Sequence, residues 1–218
     1  MSIKRFNPTL CRGRVWGVII VTRAAQRGLT WSLGSSITLM DNTTAELVAR
    51  YRALPFASDH LGVCPTNHAK VELLCQLDEY FNESIVSQLL LDILTSADEY
   101  DLARIEAAKI VGIYVTDASP LDRQLKRQVW NVFADSNEDR LVRQHASQHI
   151  SGGFGGEAEH DIIERLLFDD EDDIDVRHGA LEYIRRTDDT EFVNRLIGKL
   201  KVHPYWGKFT SFFKDLQR

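Results

Sequence analysis

Three arginines along this chain are each followed by an alanine three residues later and by an isoleucine or valine seven residues later: Arg104/Ala107/Val111, Arg143/Ala146/Ile150 and Arg177/Ala180/Ile184. The arginines are 39 and 34 residues apart, and a weaker copy lies one 34-residue step upstream, where Lys70, Leu73 and Leu77 hold the same places. Recurrence at this period is the mark of stacked two-helix units. The third and seventh places after the arginine are one and two turns along the same helix face, so they point at neighbouring helices, and a small alanine lets those helices come close. Ala103, Val142 and Val176, each just before its arginine, extend the stripe by a turn. The pattern predicts an all-α fold, an α-solenoid of about four to five antiparallel helix pairs.

Caps and breakers place the elements. Thr43-x-x-Glu46 is a capping-box pattern that starts a helix running to Leu54, where Pro55 stops it. Four pairs are predicted after it: 68–81 with 85–94, 102–115 with 121–133, 141–150 with 160–168, and 176–186 with 191–200. Asn82-Glu83-Ser84 reads as a cap site, as does Ser119 with Pro120 at the first helical position, and the last pair is joined at Asp188-Asp189-Thr190. Period-two Val-Ile-Thr clusters are missing after residue 40, so no sheet is expected.

Charge separates the chain into two parts. Residues 1–40 hold six basic residues and no acid, which leaves 20 basic and 32 acidic residues from Asp41 onward. The first stretch reads as a basic, acid-free leader, either a targeting segment, a poorly ordered extension ahead of a working start at Met40, or an integral first element. Residues 41–218 read as the helical domain. A body this acidic argues against nonspecific nucleic-acid binding, which needs clustered Lys and Arg, and suits a basic protein partner. No apolar run approaches the 18 or so residues that span a bilayer, so no membrane role is expected. Cys11, Cys64 and Cys75 lack C-x-x-C pairing and read as free thiols of a reducing, cytoplasmic compartment.

At Val142-Arg143-x-x-Ala146 and Asp175-Val176-Arg177-x-x-Ala180-Leu181 the chain resembles HEAT-repeat proteins of the short bacterial, phycobilisome-lyase-like kind. The resemblance covers roughly residues 66–202. It implies a HEAT-like superhelix, and a family that spans scaffolds, lyases, nucleic-acid binders and immunity proteins.

Four places invite a chemical reading. Asp169, Asp170, Glu171, Asp172 and Asp173 form an acid run that reads as a docking patch for a basic surface, or as a solvated turn whose last aspartates cap the next helix. The glycine-rich loop 151–156 lacks the lysine of a phosphate cradle and is followed by Glu157, Glu159 and Asp161, so it reads as an inter-helix loop that offers Phe154 as a contact. His145 and His149, four apart, could share a metal ion with His160. The tail from Lys199 interleaves basic and aromatic residues, which fits single-strand stacking or, at helical spacing, an aromatic C-terminal cap. The expectation is a non-enzymatic module without cofactor, an immunity-type or adaptor protein binding a basic toxin or client through the acid run. The alternatives are a metal-dependent, hydroxylase-like HEAT enzyme at the three histidines and a lyase-like chaperone.

Overall fold

The computed structural model describes residues 43–55, 65–116, 118–150 and 156–216, and contacts gather them into one compact unit that begins at Thr43. The basic stretch 1–40, with Cys11, and also Cys64 and Phe154 lie outside the described residues. The described chain is all-α. Ten α-helices follow in order: α1 (Thr44–Ala53), α2 (Pro65–Leu77), α3 (Ser84–Thr95), α4 (Asp101–Tyr114), α5 (Pro120–Ala134), α6 (Arg140–Ser147), α7 (Glu157–Phe168), α8 (Ile174–Arg186), α9 (Thr190–Val202) and α10 (Thr210–Asp215), with short 3-10 turns at Asp78–Tyr80 and Trp206–Lys208. No strand occurs among the described residues, and none of their helices is long and apolar enough to cross a membrane.

The predicted caps form locally. The Thr43 hydroxyl accepts from the Glu46 N–H and the Glu46 carboxylate accepts from the Thr43 N–H, and Ser119 with Asp122 closes the same box at α5. At the last junction the structure adds a cap, where Asp189 accepts from the Phe192 N–H at the start of α9. At Glu83 the side chain does not cap α3; its carboxylate accepts instead from the Thr44 hydroxyl, tying α3 to α1.

The repeat helices α2, α4, α6 and α8 pack side by side in sequence, each against the next, while α3 packs on α1, α4 and α5. Every alanine of the motif (Ala107, Ala146, Ala180) is fully buried, as are Val111 and Ile184. The close approach that small residues permit is most severe at Gly179. A Cβ there would stand 2.3 Å from the Ser147 Oγ, so α8 meets α6 at a distance that only glycine allows. The same holds at Gly112, where a Cβ would come within 2.5 Å of the His149 Cβ.

Several boundaries differ from the sequence reading, among them both ends of α2, which runs Pro65–Leu77 rather than 68–81 and passes into a 3-10 turn at Asp78–Tyr80. Helix α6 stops at Ser147 rather than Ile150, because the chain turns at Gln148 and His149 to lay His149 against α4 while Ile150 still enters the core. Helix α7 starts at Glu157, three residues before the predicted His160, and puts Glu157 and Glu159 in its first turn, where carboxylates suit the helix dipole.

The second helices are tied by side chains that cover exposed carbonyls one repeat back. Gln128 donates to the Leu94 carbonyl at the end of α3, and Arg165 donates to the Ala134 carbonyl at the end of α5. These are the orphan acceptors that every helix C-terminus leaves.

Candidate protein-binding edge

The arginines that mark the repeat are buried cations. Lys70, Arg104, Arg143 and Arg177 are all 5% exposed or less. Each of the first three reaches forward to the acid that stands just ahead of the next repeat helix. Lys70 meets Glu99 at 2.6 Å, Arg104 forks onto both Glu138 oxygens, and Arg143 forks onto Asp172 with two contacts of 2.7 Å. The acids also serve their own loop, since Glu99, Glu138 and Asp172 each accept the N–H of the following residue. Burying a charge is tolerable only when it is paired and hydrogen-bonded, and these rungs satisfy both conditions. Arg143 uses its remaining Nε–H on the Phe133 carbonyl.

The ladder ends at Arg177. Its guanidinium donates to the Leu167 carbonyl and reaches back to Asp170 at 2.6 Å, and the Trp206 ring lies over it at 5.4 Å. Trp206 is fully buried and donates its indole N–H to the same carbonyl at 2.7 Å. Phe213 is buried as well, and His178 sets its ring edgewise to Tyr205, Trp206 and Phe209. The tail aromatics thus face inward, and their faces are spent on packing rather than offered to bases.

Each rung joins the N-terminal half of one repeat helix to the loop that enters the next, so the loops that enter α4, α6 and α8 lie along one edge of this unit. Those loops, 96–100, 135–139 and 169–173, contain ten acids and no base. The rungs neutralise Glu99, Glu138 and Asp172. Asp98, Asp135, Asp139, Asp170, Glu171 and, in the first turn of α8, Asp175 remain exposed along the edge.

The acid run, read as a docking patch or as a turn whose last aspartates cap the next helix, is divided in the structure. Asp172 is an interior group, 7% exposed in its side chain and held by Arg143, whose charge and hydrogen bonds keep the Asp172 carboxyl below the usual range against the opposing pull of burial. Asp173 caps α8 through the Asp175 N–H and lies 3.3 Å from Arg140. Asp170 holds Arg177, Asp169 accepts from the Glu171 N–H, and Glu171 is exposed. The missed signal was an acid five residues ahead of each arginine: Glu99 before Arg104, Glu138 before Arg143, Asp172 before Arg177.

No protein-family model, curated protein or solved structure matches this chain.

The histidines do not gather into a ligand set. His145 lies on α6 and His149 in the turn after it, whereas His160 is on α7, stacked face to face on Phe192 at 3.8 Å with Nε2 3.7 Å from Asp189. Among the described residues no three His, Cys, Asp or Glu side chains come together as a metal site. Burial pushes His145 below its ordinary value, and burial together with the charges of His145, Lys109 and Arg186 pushes His149 down to about 4.

That shift has a sign that stability measurements can read. A histidine kept neutral in the folded state binds its proton more readily when unfolded, so stability is present above the unfolded pKa near 6.5 and is lost as pH falls toward 4. Urea midpoints measured from pH 7 to pH 4.5 are expected to decline with a His149-dependent part of at most ~1 kcal/mol per pH unit. The His149→Gln variant is expected to flatten that decline, and an unchanged slope would show that His149 is not its source.

Proposed function

We propose that the chain is a HEAT-like α-solenoid that works as a non-enzymatic protein-binding module, with the acid-only edge as its docking surface for a basic protein. The most concrete version is an immunity-type or adaptor protein that covers the cationic face of a nucleic-acid-cleaving toxin or a basic client. The observation that carries this reading is the edge itself. Three successive inter-repeat loops present acids without a single base, and six carboxylates beyond the buried rungs stay exposed. Solenoid stacking offers extended surfaces of this kind. A one-signed surface steers an oppositely charged partner and rejects a like-charged one.

The ladder makes a clean test possible, because acids that hold the fold are distinct from acids that face solvent. Replacing Asp98, Asp135 and Glu171 with lysine leaves every rung intact. Affinity purification from the native host with wild type and this triple variant side by side should recover a basic partner only with wild type. Binding of that partner should weaken at least tenfold in the variant at low salt, and the gap should narrow as ionic strength rises. A partner retained equally by both proteins removes the acidic edge from the account.

A further inference from the structure

The early end of α6 shapes the seam between α6 and α8. With the helix ending at Ser147, Gln148 becomes its C-cap, and the Gln148 carbonyl, released from helical bonding, accepts from Arg186 Nη1 on α8 at 3.2 Å. An open cleft of about 230 Å³ runs along this seam. Gln144, Ser147 and Gln148 line it from α6, and Asp175, Gly179 and Glu182 line it from α8. The two helices touch at Ser147 and Gly179, so the cleft is a furrow between helices rather than an enclosed cavity.

The furrow holds polar groups that the fold does not use. Gln144 and Gln148 stand one turn apart, and the bonds they accept from Ser147 and Arg186 go to their backbone carbonyls. Neither side-chain carboxamide has a hydrogen-bond partner among the described residues. The Asp175 carboxylate is exposed in the first turn of α8 and has no salt bridge there. His178 does not compensate it. Burial presses the His178 imidazole below its ordinary value against the opposing charge of Asp175, so the ring is neutral near pH 7, and its Nε2 is engaged with the Tyr205 hydroxyl at 2.9 Å. At the far end Glu182 is already met by Arg185 and Arg186. The furrow is therefore negative where it opens on the acidic edge and balanced at its other end.

A carboxamide donates through its NH2 and accepts through its carbonyl, the same pair that a peptide group presents. Side chains four apart on a helix have Cβ atoms about 5–6 Å apart. In an extended chain the backbone groups that face one side recur at every second residue, about 6.5–7 Å apart. The flexible glutamine stems bridge that difference, so two glutamines placed this way match the backbone of residues i and i+2 of a strand-like segment. Main-chain hydrogen bonds of this kind supply affinity, and a side-chain contact adds selectivity. Asp175 supplies that contact, for a cation.

We propose that the α6–α8 furrow binds an extended basic peptide segment, its backbone hydrogen-bonded by Gln144 and Gln148 and one of its lysine or arginine side chains paired with Asp175. This rests on the protein-binding reading and narrows it, because it gives the basic partner a strand-like segment rather than only a cationic face.

Three probes separate backbone recognition from charge: a capped pentapeptide of alternating alanine and lysine, the same peptide with its backbone nitrogens methylated, and its glutamate counterpart. Each is titrated into the full chain at about 0.15 M salt, where distant charges are largely screened, while the side-chain NH2 resonances of Gln144 and Gln148 are followed by NMR. The lysine peptide is expected to bind saturably and to shift both resonances. Methylation removes the backbone donors at constant charge and should weaken binding at least fivefold, and the glutamate peptide should be at least tenfold weaker. Gln144→Met combined with Gln148→Met keeps the stems without the amides, and should weaken the lysine peptide at least fivefold. No saturable binding of the lysine peptide, equal binding of its methylated form, or unchanged binding in the double methionine variant would each overturn the proposal. The variant with Asp98, Asp135 and Glu171 replaced by lysine leaves the furrow intact, so it should still prefer the unmethylated peptide. Loss of that preference would place the peptide on the edge, overturning the furrow while the acidic-edge reading stands.

Discussion

Arg143→Met is expected to destabilise the protein by about 3–5 kcal/mol, measured as the loss of unfolding free energy in urea by far-ultraviolet circular dichroism. Methionine fills much of the same volume, so the loss is not chiefly one of packing. It comes from Asp172, which stays in a nearly closed site with its charge uncompensated, and from the Phe133 carbonyl, which loses the Nε–H that satisfies it. Removing one partner of a buried ion pair exacts the full desolvation cost of the other. The contrast lies one turn away. Arg140 pairs with Asp173 at 3.3 Å, but its side chain is 73% exposed, and Arg140→Met should cost no more than about 1 kcal/mol. Equal effects at the two arginines would mean that burial is not what gives the rung its weight.

Trp206→Ala should cost a similar amount, about 3–5 kcal/mol, for a different reason. The indole is fully buried, covers Arg177 and shares the Leu167 carbonyl with it. Truncation leaves a large cavity at the end of the ladder and opens the last cation to water from one side. Trp206→Phe keeps an aromatic over Arg177 but removes the N–H donor, and should cost less, about 1–2 kcal/mol in urea unfolding. A Trp206→Ala protein as stable as wild type would show that the C-terminal turn merely rests on α8.

These two expectations rest on groups whose roles were only half legible in the sequence. The arginines stood out by period, and the alanines and β-branched residues beside them were read correctly as a buried stripe, since Ala107, Ala146 and Ala180 are fully enclosed. Helix positions followed from the same period and from the Thr43 and Ser119 caps, which depend on residues three apart. The partners of the arginines were hidden by distance. A rung links residues 29 or 34 apart, and nothing local says that Asp172 turns inward to Arg143 while Glu171, its neighbour, faces solvent. The reading of 169–173 as a turn whose last aspartates cap the next helix holds at Asp173, which caps α8, but it could not foresee that Asp172 is a rung. The place of His160 was hidden in the same way, because it stacks on Phe192 beside Asp189, a contact set where α7 meets the start of α9.

The distinction between inward and outward acids also gives the charge of the body a second meaning. Part of the excess acid is structural, spent on buried cations and helix caps. What remains on the loops entering α4, α6 and α8 faces solvent, and it is the part that the proposed charge reversals address.

Buried cation–carboxylate rungs couple successive repeats, and a double-mutant cycle at Arg143 and Asp172 measures that coupling. Wild type, Arg143→Met, Asp172→Asn and the double variant are compared by urea unfolding. If the rung is a single paired unit, the double variant will be less destabilised than the sum of the singles by at least about 2 kcal/mol. Additivity within about 0.5 kcal/mol would mean that the two side chains act independently, and would contradict the ladder.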